Sequence, residues 1–204
     1  MPKRTIVILA NSIKHHQHCV AGKCVASKEW IRPVSDENGG ALSPDQAKCE
    51  NPYGQFNVKP KQKVEIGIRH HAPLPNQPDN YLVEDVKWQQ RYKIEDNELK
   101  AYPDTPNDLW GHGDRLLFAA IQSGQIKIEQ SLYLIQADSL RLYVNSFDKR
   151  RAEFTYKGNN YDLSVTDPNF DNICAEEKET NGILCVSLGE EYQGYCFKIV
   201  ATIF

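Results

Sequence analysis

The chain has 204 residues, 40% of them apolar and 25% charged, with a formal net charge of −3 at neutral pH. That length admits one large domain or two small ones, the composition is ordinary for a globular protein, and the charge balance excludes a generally basic nucleic-acid coat. No apolar run approaches the roughly 20 residues that cross a bilayer, so no membrane partner is expected. Lys3 and Arg4 precede an apolar stretch that stops at Asn11, too short for a signal-peptide core, which predicts a cytoplasmic protein.

Thr5 to Ala10 is a continuous apolar run, as in a strand covered on both faces. It opens into the polar loop Asn11-Ser12-Ile13-Lys14-His15-His16-Gln17-His18-Cys19, followed by Val20 to Ser27 and then Trp30-Ile31-Arg32-Pro33-Val34-Ser35. Lys3, Arg4, Lys14, Lys23, Lys28 and Arg32 stand against Glu29 alone over residues 1–35. Such a local cationic patch suits an anionic or nucleotide-like ligand, held with an affinity that falls with salt. On pattern alone an ordinary hairpin with a solvated loop is the simpler reading of the same residues. Trp30 and Arg32 share a strand face, where they either stack a base and hold its phosphate or form a core residue covered by an arginine stem.

Ser43-Pro44-Asp45-Gln46 is a capping box with proline at the first helical position, predicting a short helix. Gln62 to Arg69 alternates, with Val64, Ile66 and Ile68 on one side. Residues 70–80 are proline-rich and loop-like, a weak helix runs from Asp96 to Ala101, and residues 103–113 form a second irregular connection. Asp114 is placed to cap a helix carrying Leu116, Leu117, Ala120 and Ile121, ended by Gly124. Residues 131–136 and 140–144 are strand candidates separated by a turn or bulge at Ala137-Asp138-Ser139. Ala152, Phe154 and Tyr156 alternate with Arg151, Glu153, Thr155 and Lys157, while Tyr161, Leu163 and Val165 alternate with Asp162, Ser164 and Thr166. This is a hairpin with one polar face, turning at Gly158-Asn159-Asn160. Ile183 to Leu188 and Tyr195 to Phe204 are two further strands, and the latter is expected to be needed for folding. Many short strands with two or three short helices suggest small β-barrels, with the first half at residues 1–110 and the second at 111–204.

The chemistry-bearing residues favour binding over catalysis. His15, His16, His18 and Cys19, with Cys24 nearby, are zinc-ligand types without a second spaced pair, so a polar loop is the simpler reading. Cys19 adjoins His18, but strand neighbours point to opposite faces, which disfavours a thiol–imidazole nucleophile. No nucleophile elbow, Walker loop or carboxylate pair occurs, the glycine pairs at 39–40 and 111–113 are too short to cradle phosphates, and no cofactor or metal is predicted. The six cysteines form no paired motif and are expected as reduced thiols.

Leu9-Ala10-Asn11-Ser12-x-Lys14, Cys19-Val20-Ala21-Gly22-Lys23, Trp30-Ile31-Arg32-Pro33-Val34-Ser35 and Gly39-Gly40-x-Leu42-Ser43 resemble the prokaryotic dual OB-containing domain family. So do Ser131 to Ile135, Arg151 to Tyr156, Tyr161-x-Leu163 to Pro168, Leu184 to Glu190 and Gly194 to Lys198. The blocks come in order over nearly the whole chain. The loop His15-His16-Gln17-His18 departs from the small residues expected there. The resemblance implies a mainly β protein of two OB-like barrels and a binding or sensing role toward nucleic acid or nucleotide, of a kind suited to bacterial conflict or antiphage systems. Its polar motif positions are Asn11, Ser12, Lys14, Lys23, Arg32 and Ser35, then Thr166, Asp167, Ser187 and Lys198.

Together these readings predict a non-enzymatic module that binds single-stranded nucleic acid or a nucleotide through Asn11, Ser12, Lys14, Lys23, Trp30, Arg32 and Ser35. Two alternatives stand beside it. One is an interaction subunit that regulates an effector or toxin through its acidic residues 171–191. The other is a nucleotide-processing enzyme that uses Cys19 or the histidines.

Overall fold

The computed structural model describes residues 3–14, 17–174 and 180–204. The chain divides into two units, Met1–Tyr102 and Pro103–Phe204. The division expected at 110/111 falls inside the second unit, because Leu109 and Trp110 pack with that unit's core.

In the first unit the apolar run at the N-terminus becomes β1 (Lys3–Lys14), which hairpins into β2 (Gln17–Cys24) and on to β3 (Trp30–Val34). A second hairpin, β4 (Lys48–Asn51) and β5 (Gly54–Asn57), precedes β6 (Gln62–His71) and β7 (Asn80–Val83); β8 (Trp88–Lys93) and α1 (Asp96–Leu99) follow. β1 pairs antiparallel with β2 and β6, β2 with β3, and β6 with β7, while a parallel β3–β7 pair closes the ring. The closed order is β1-β2-β3-β7-β6, the connectivity of an OB barrel. β8 pairs with the first half of β6 and carries the β4–β5 hairpin outward. Ile6, Ile8, Val20, Ile31, Val64, Ile66, Ile68 and Trp88 fill the interior, each buried aliphatic side chain contributing about 1.5–3 kcal/mol. Gly22 sits where β1 shifts register, and a Cβ there would collide with the Val7 carbonyl.

The capping box at Ser43 forms, with Gln46 N–H donating to Ser43 Oγ at 3.2 Å and Ser43 N–H to Gln46 Oε1 at 3.0 Å, but it closes a single turn rather than the predicted helix. One turn has too few hydrogen bonds to propagate, and the chain enters β4 instead.

In the second unit Arg115–Leu117 is a short strand, β9, and the helix α2 begins only at Phe118 and ends at Gln122. Asp114 therefore does not cap it. β9 pairs with the later strand β14 (Tyr195–Ile203), and that pairing takes the residues assigned to the helix's first turn. β10 (Leu132–Val144) joins both strand candidates through a bulge at Ser139, whose φ is 51°. β11 (Arg150–Tyr156) and β12 (Asn159–Val165) form the expected hairpin. Its turn is Lys157-Gly158, both with positive φ, rather than the three residues from Gly158. A two-residue turn of this hand matches the twist of its strands, and Asn159 already pairs with Tyr156. α3 (Phe170–Cys174) leads to β13 (Thr180–Tyr192) and β14. β10 pairs antiparallel with β11 and β13, β11 with β12, β13 with β14, and a parallel β12–β14 pair completes the same closed order. All six cysteines are thiols. Among the described residues no helix is long and apolar enough to cross a membrane.

Candidate nucleic-acid interface

In an OB barrel, ligands meet the outer face of the second and third strands and the loops that flank them. In the first unit those strands are β2 and β3. Because Val20, Cys24 and Ile31 point into the core, Ala21, Lys23, Trp30, Arg32 and Val34 lie on the outer side. That side is filled from within the unit. Lys23 and Trp30 are register partners, each only 4% exposed, with the ammonium 5.2 Å from the ring centroid. Lys23 Nζ donates to the Tyr102 carbonyl at 2.7 Å. Arg32 is half-buried beside the wholly buried Asn80, and its N–H donates to Asp79 O at 2.8 Å. Ser35 N–H donates to Gly40 O at 2.9 Å.

The loop residues are divided between roles. Asn11 is half-buried; its Nδ2 donates to Val58 O at 2.7 Å and its Oδ1 lies 3.0 Å from His18 Nδ1. Burial lowers the His18 pKa below the ordinary imidazole value, so the neutral ring donates Nδ1–H to Asn11 near pH 7. Ser12 is half-buried opposite Cys19. The Lys14 side chain, His15 and His16 lie outside the described residues. Among the described residues no three His, Cys, Asp or Glu side chains gather as a metal set. The structure thus brings Lys23 and Trp30 together, but as packing, while Asn11 serves the loop that carries it.

The corresponding face of the second unit is open. Ala152, Phe154, Tyr156, Tyr161 and Leu163 point into the core, so Arg151, Glu153, Thr155, Asn160, Asp162 and Ser164 point outward, joined by Arg141 and Tyr143 of β10. Side chains hold one another in place there. Arg151 donates from Nε to Asp162 Oδ1 at 3.0 Å and from Nη1 to Ser164 Oγ at 2.9 Å; Tyr143 donates its hydroxyl to Asp162 Oδ2 at 2.9 Å. Burial, then that hydrogen bond to Asp162, holds the Tyr143 pKa above the ordinary phenol value. Arg141 donates to Glu153 through Nε at 3.1 Å and again through Nη2, and its guanidinium lies 4.7 Å from the Tyr143 ring centroid. Beside the β10 bulge the face dips into a hollow of about 390 Å³ lined by Ser139, Arg141, Glu153, Phe154, Thr155 and Asn160.

Loops at both ends of β10 add exposed aromatic rings. Between β10 and β11, Asn145 Oδ1 accepts the N–H groups of Phe147 and Lys149 at 3.0 Å each, and this tight turn leaves Phe147 79% exposed. Between β13 and β14, Tyr192 is 59% exposed and Tyr195 has the Arg115 guanidinium 4.7 Å from its ring centroid. Of the acidic stretch 171–191, Glu176, Glu177 and Glu179 lie outside the described residues, while Asp171 accepts from Arg150 at 2.5 Å. Sequence reading placed its candidate ligand residues within the basic first 35 residues and named none on the β10–β12 face. The alternation over 151–166 already marked that face as polar, but each of its cations has a carboxylate opposite, so no net charge singled it out.

A family model described as the dual OB-containing domain matches residues 4–203. No curated protein matches the chain. Among solved structures, the chain is similar to a murine DNA-binding protein bound with double-stranded DNA, at 10% identity, covering 100% of this chain and 97% of that one with a TM-score of 0.39. It is also similar to the tetrameric p202 HIN2 crystal structure, at 9% identity, covering 100% and 90% with a TM-score of 0.34.

Proposed function

The chain belongs to the dual OB-containing domain family, and from that premise we propose that it is a non-enzymatic module that binds single-stranded nucleic acid or a nucleotide on the outer face of β10–β12. One contrast carries the reading: the first unit's β2–β3 face is filled by its own side chains, whereas the second unit's β11–β12 face is open and polar. Exposed rings supply stacking surfaces at Phe147, Tyr192 and Tyr195, and guanidinium groups at Arg115, Arg141 and Arg151 supply donors for phosphate and base edges. The carboxylates of Glu153 and Asp162 hold the Arg141 and Arg151 guanidinium groups by hydrogen bonds, which lowers the entropy lost on binding.

Fluorescence anisotropy with short labelled single-stranded DNA and RNA tests the proposal. Saturable binding is expected at low salt, weakening with a log–log slope of about −0.7 per phosphate contacted. Phe147→Ala removes one exposed stacking ring and is expected to weaken binding at least about fivefold. Lys14→Ala with Arg32→Ala, on the first unit, is expected to leave affinity and salt slope near wild type. No binding at low salt, or loss confined to the Lys14 and Arg32 double variant, would sink the reading.

A further inference from the structure

The hollow beside the β10 bulge has its own donor and acceptor pattern. Both Arg141 bonds to Glu153 end on Oε2, and among the described residues Oε1 carries no hydrogen bond. A carboxylate only accepts, and it has room for several donors at once. On the other wall, Thr155 Oγ1 donates to Asn160 Oδ1 at 3.0 Å, which orients the Asn160 amide so that Nδ2 is its donor to anything in the hollow. The hollow therefore offers an acceptor at Glu153, with Oε1 open, and donors at Asn160 and Arg141. Its volume of about 390 Å³ lies at the small end of ligand pockets. It suits one base with part of its sugar rather than a run of bases.

Resting on the β10–β12 face as the ligand face, we infer that this hollow is a base-reading pocket for guanine, with Glu153 as the residue that selects it. Among the four bases, guanine alone presents two adjacent N–H donors, at N1 and N2, that a single carboxylate can accept together. Adenine and cytosine place a ring-nitrogen acceptor beside their amino group, which would set a lone pair against Glu153. Thymine and uracil offer one N–H flanked by two carbonyls. The O6 and N7 acceptors of guanine match the donors of Arg141, the commonest side-chain partner of that edge. Tyr143, against which the Arg141 guanidinium stacks, keeps that guanidinium on the sheet surface rather than in solvent.

The test compares four labelled oligodeoxythymidylates of eight nucleotides, three of them carrying one central guanine, adenine or cytosine, by anisotropy on the wild-type chain. The guanine probe is expected to bind about tenfold tighter than the all-thymidine probe, and the other two are not. Glu153→Gln replaces one acceptor oxygen with a donor and is expected to bring the guanine and thymidine probes to within about twofold of each other. The Arg141–Glu153 pair is solvent-exposed, so the fold is expected to tolerate its loss. Equal binding of all four probes overturns the pocket while leaving the β10–β12 face as a general site. A preference for another base, or a guanine preference that survives Glu153→Gln, also overturns it. Absence of binding by any probe at low salt overturns both this inference and the function it rests on.

Discussion

Lys198 lies 1% exposed on β14 and points its ammonium at three successive main-chain carbonyls, of Gly111 at 2.7 Å, His112 at 3.2 Å and Gly113 at 2.9 Å. Three N–H donors meet three acceptors, which matches the charged form. Burial pushes its pKa down to about 8, with Asp108 and Asp114 pulling the other way. An unfolded lysine keeps its proton to about pH 10.4. Between these values the unfolded chain holds more protons than the folded one, so this group's contribution to stability rises as pH increases through the window. Thermal melts of wild type and Lys198→Met across that range are expected to show the rise in wild type only. At neutral pH the variant should be less stable by on the order of 3 kcal/mol, because three carbonyls lose their donor. His18 works with the same sign at lower pH. Its lowered pKa means that acidification below about 6.5 protonates the unfolded chain first and erodes stability, a slope that His18→Gln should flatten.

Element placement was legible wherever alternation was strict. β6, β11, β12 and β14 follow their apolar period, because a strand with one buried face cannot slip by one residue without burying its polar set. The failures are local conflicts that tertiary pairing resolved. Residues 115–117 have helical patterning but serve as β9, since β14 offers them a ladder. The Ser43 box makes its capping bonds without a helix behind them. The candidate site was harder to read than the fold. Sequence shows the chemistry of Lys23 and Trp30 but not that both are buried or that the Tyr102 carbonyl accepts from Lys23. Gly22 is the opposite case, a plain residue with a strict duty. Gly22→Ala would force β1 and β2 apart at the Val7 carbonyl, and a loss of about 2 kcal/mol or more in denaturant titration is expected. Removing residues 199–204 takes Ile199 and Val200 from their pairing with Ser164 and Val165. Insoluble protein is the expected result, and a cooperative melt of that truncation would refute it.

Each unit has its own apolar interior and its own closed ring of strands. Residues 103–204 made alone are therefore expected to melt cooperatively and to retain the oligonucleotide affinity of the whole chain, while residues 1–102 made alone should fold and bind no probe; calorimetry and anisotropy on the two halves check this. In both rings the closing contact is a parallel pair between strands distant in sequence, β3 with β7 and β12 with β14. Such contacts form slowly, because a long loop must be ordered before they contribute. The ribosome delivers all five strands of the first ring before it begins β10, so that ring is able to shut during translation. The second stays an open sheet until Tyr195–Ile203 emerges, with β12 and β13 both waiting for the same partner. That interval, with two unpaired strand edges in a crowded cell, is when the nascent protein is most exposed to aggregation.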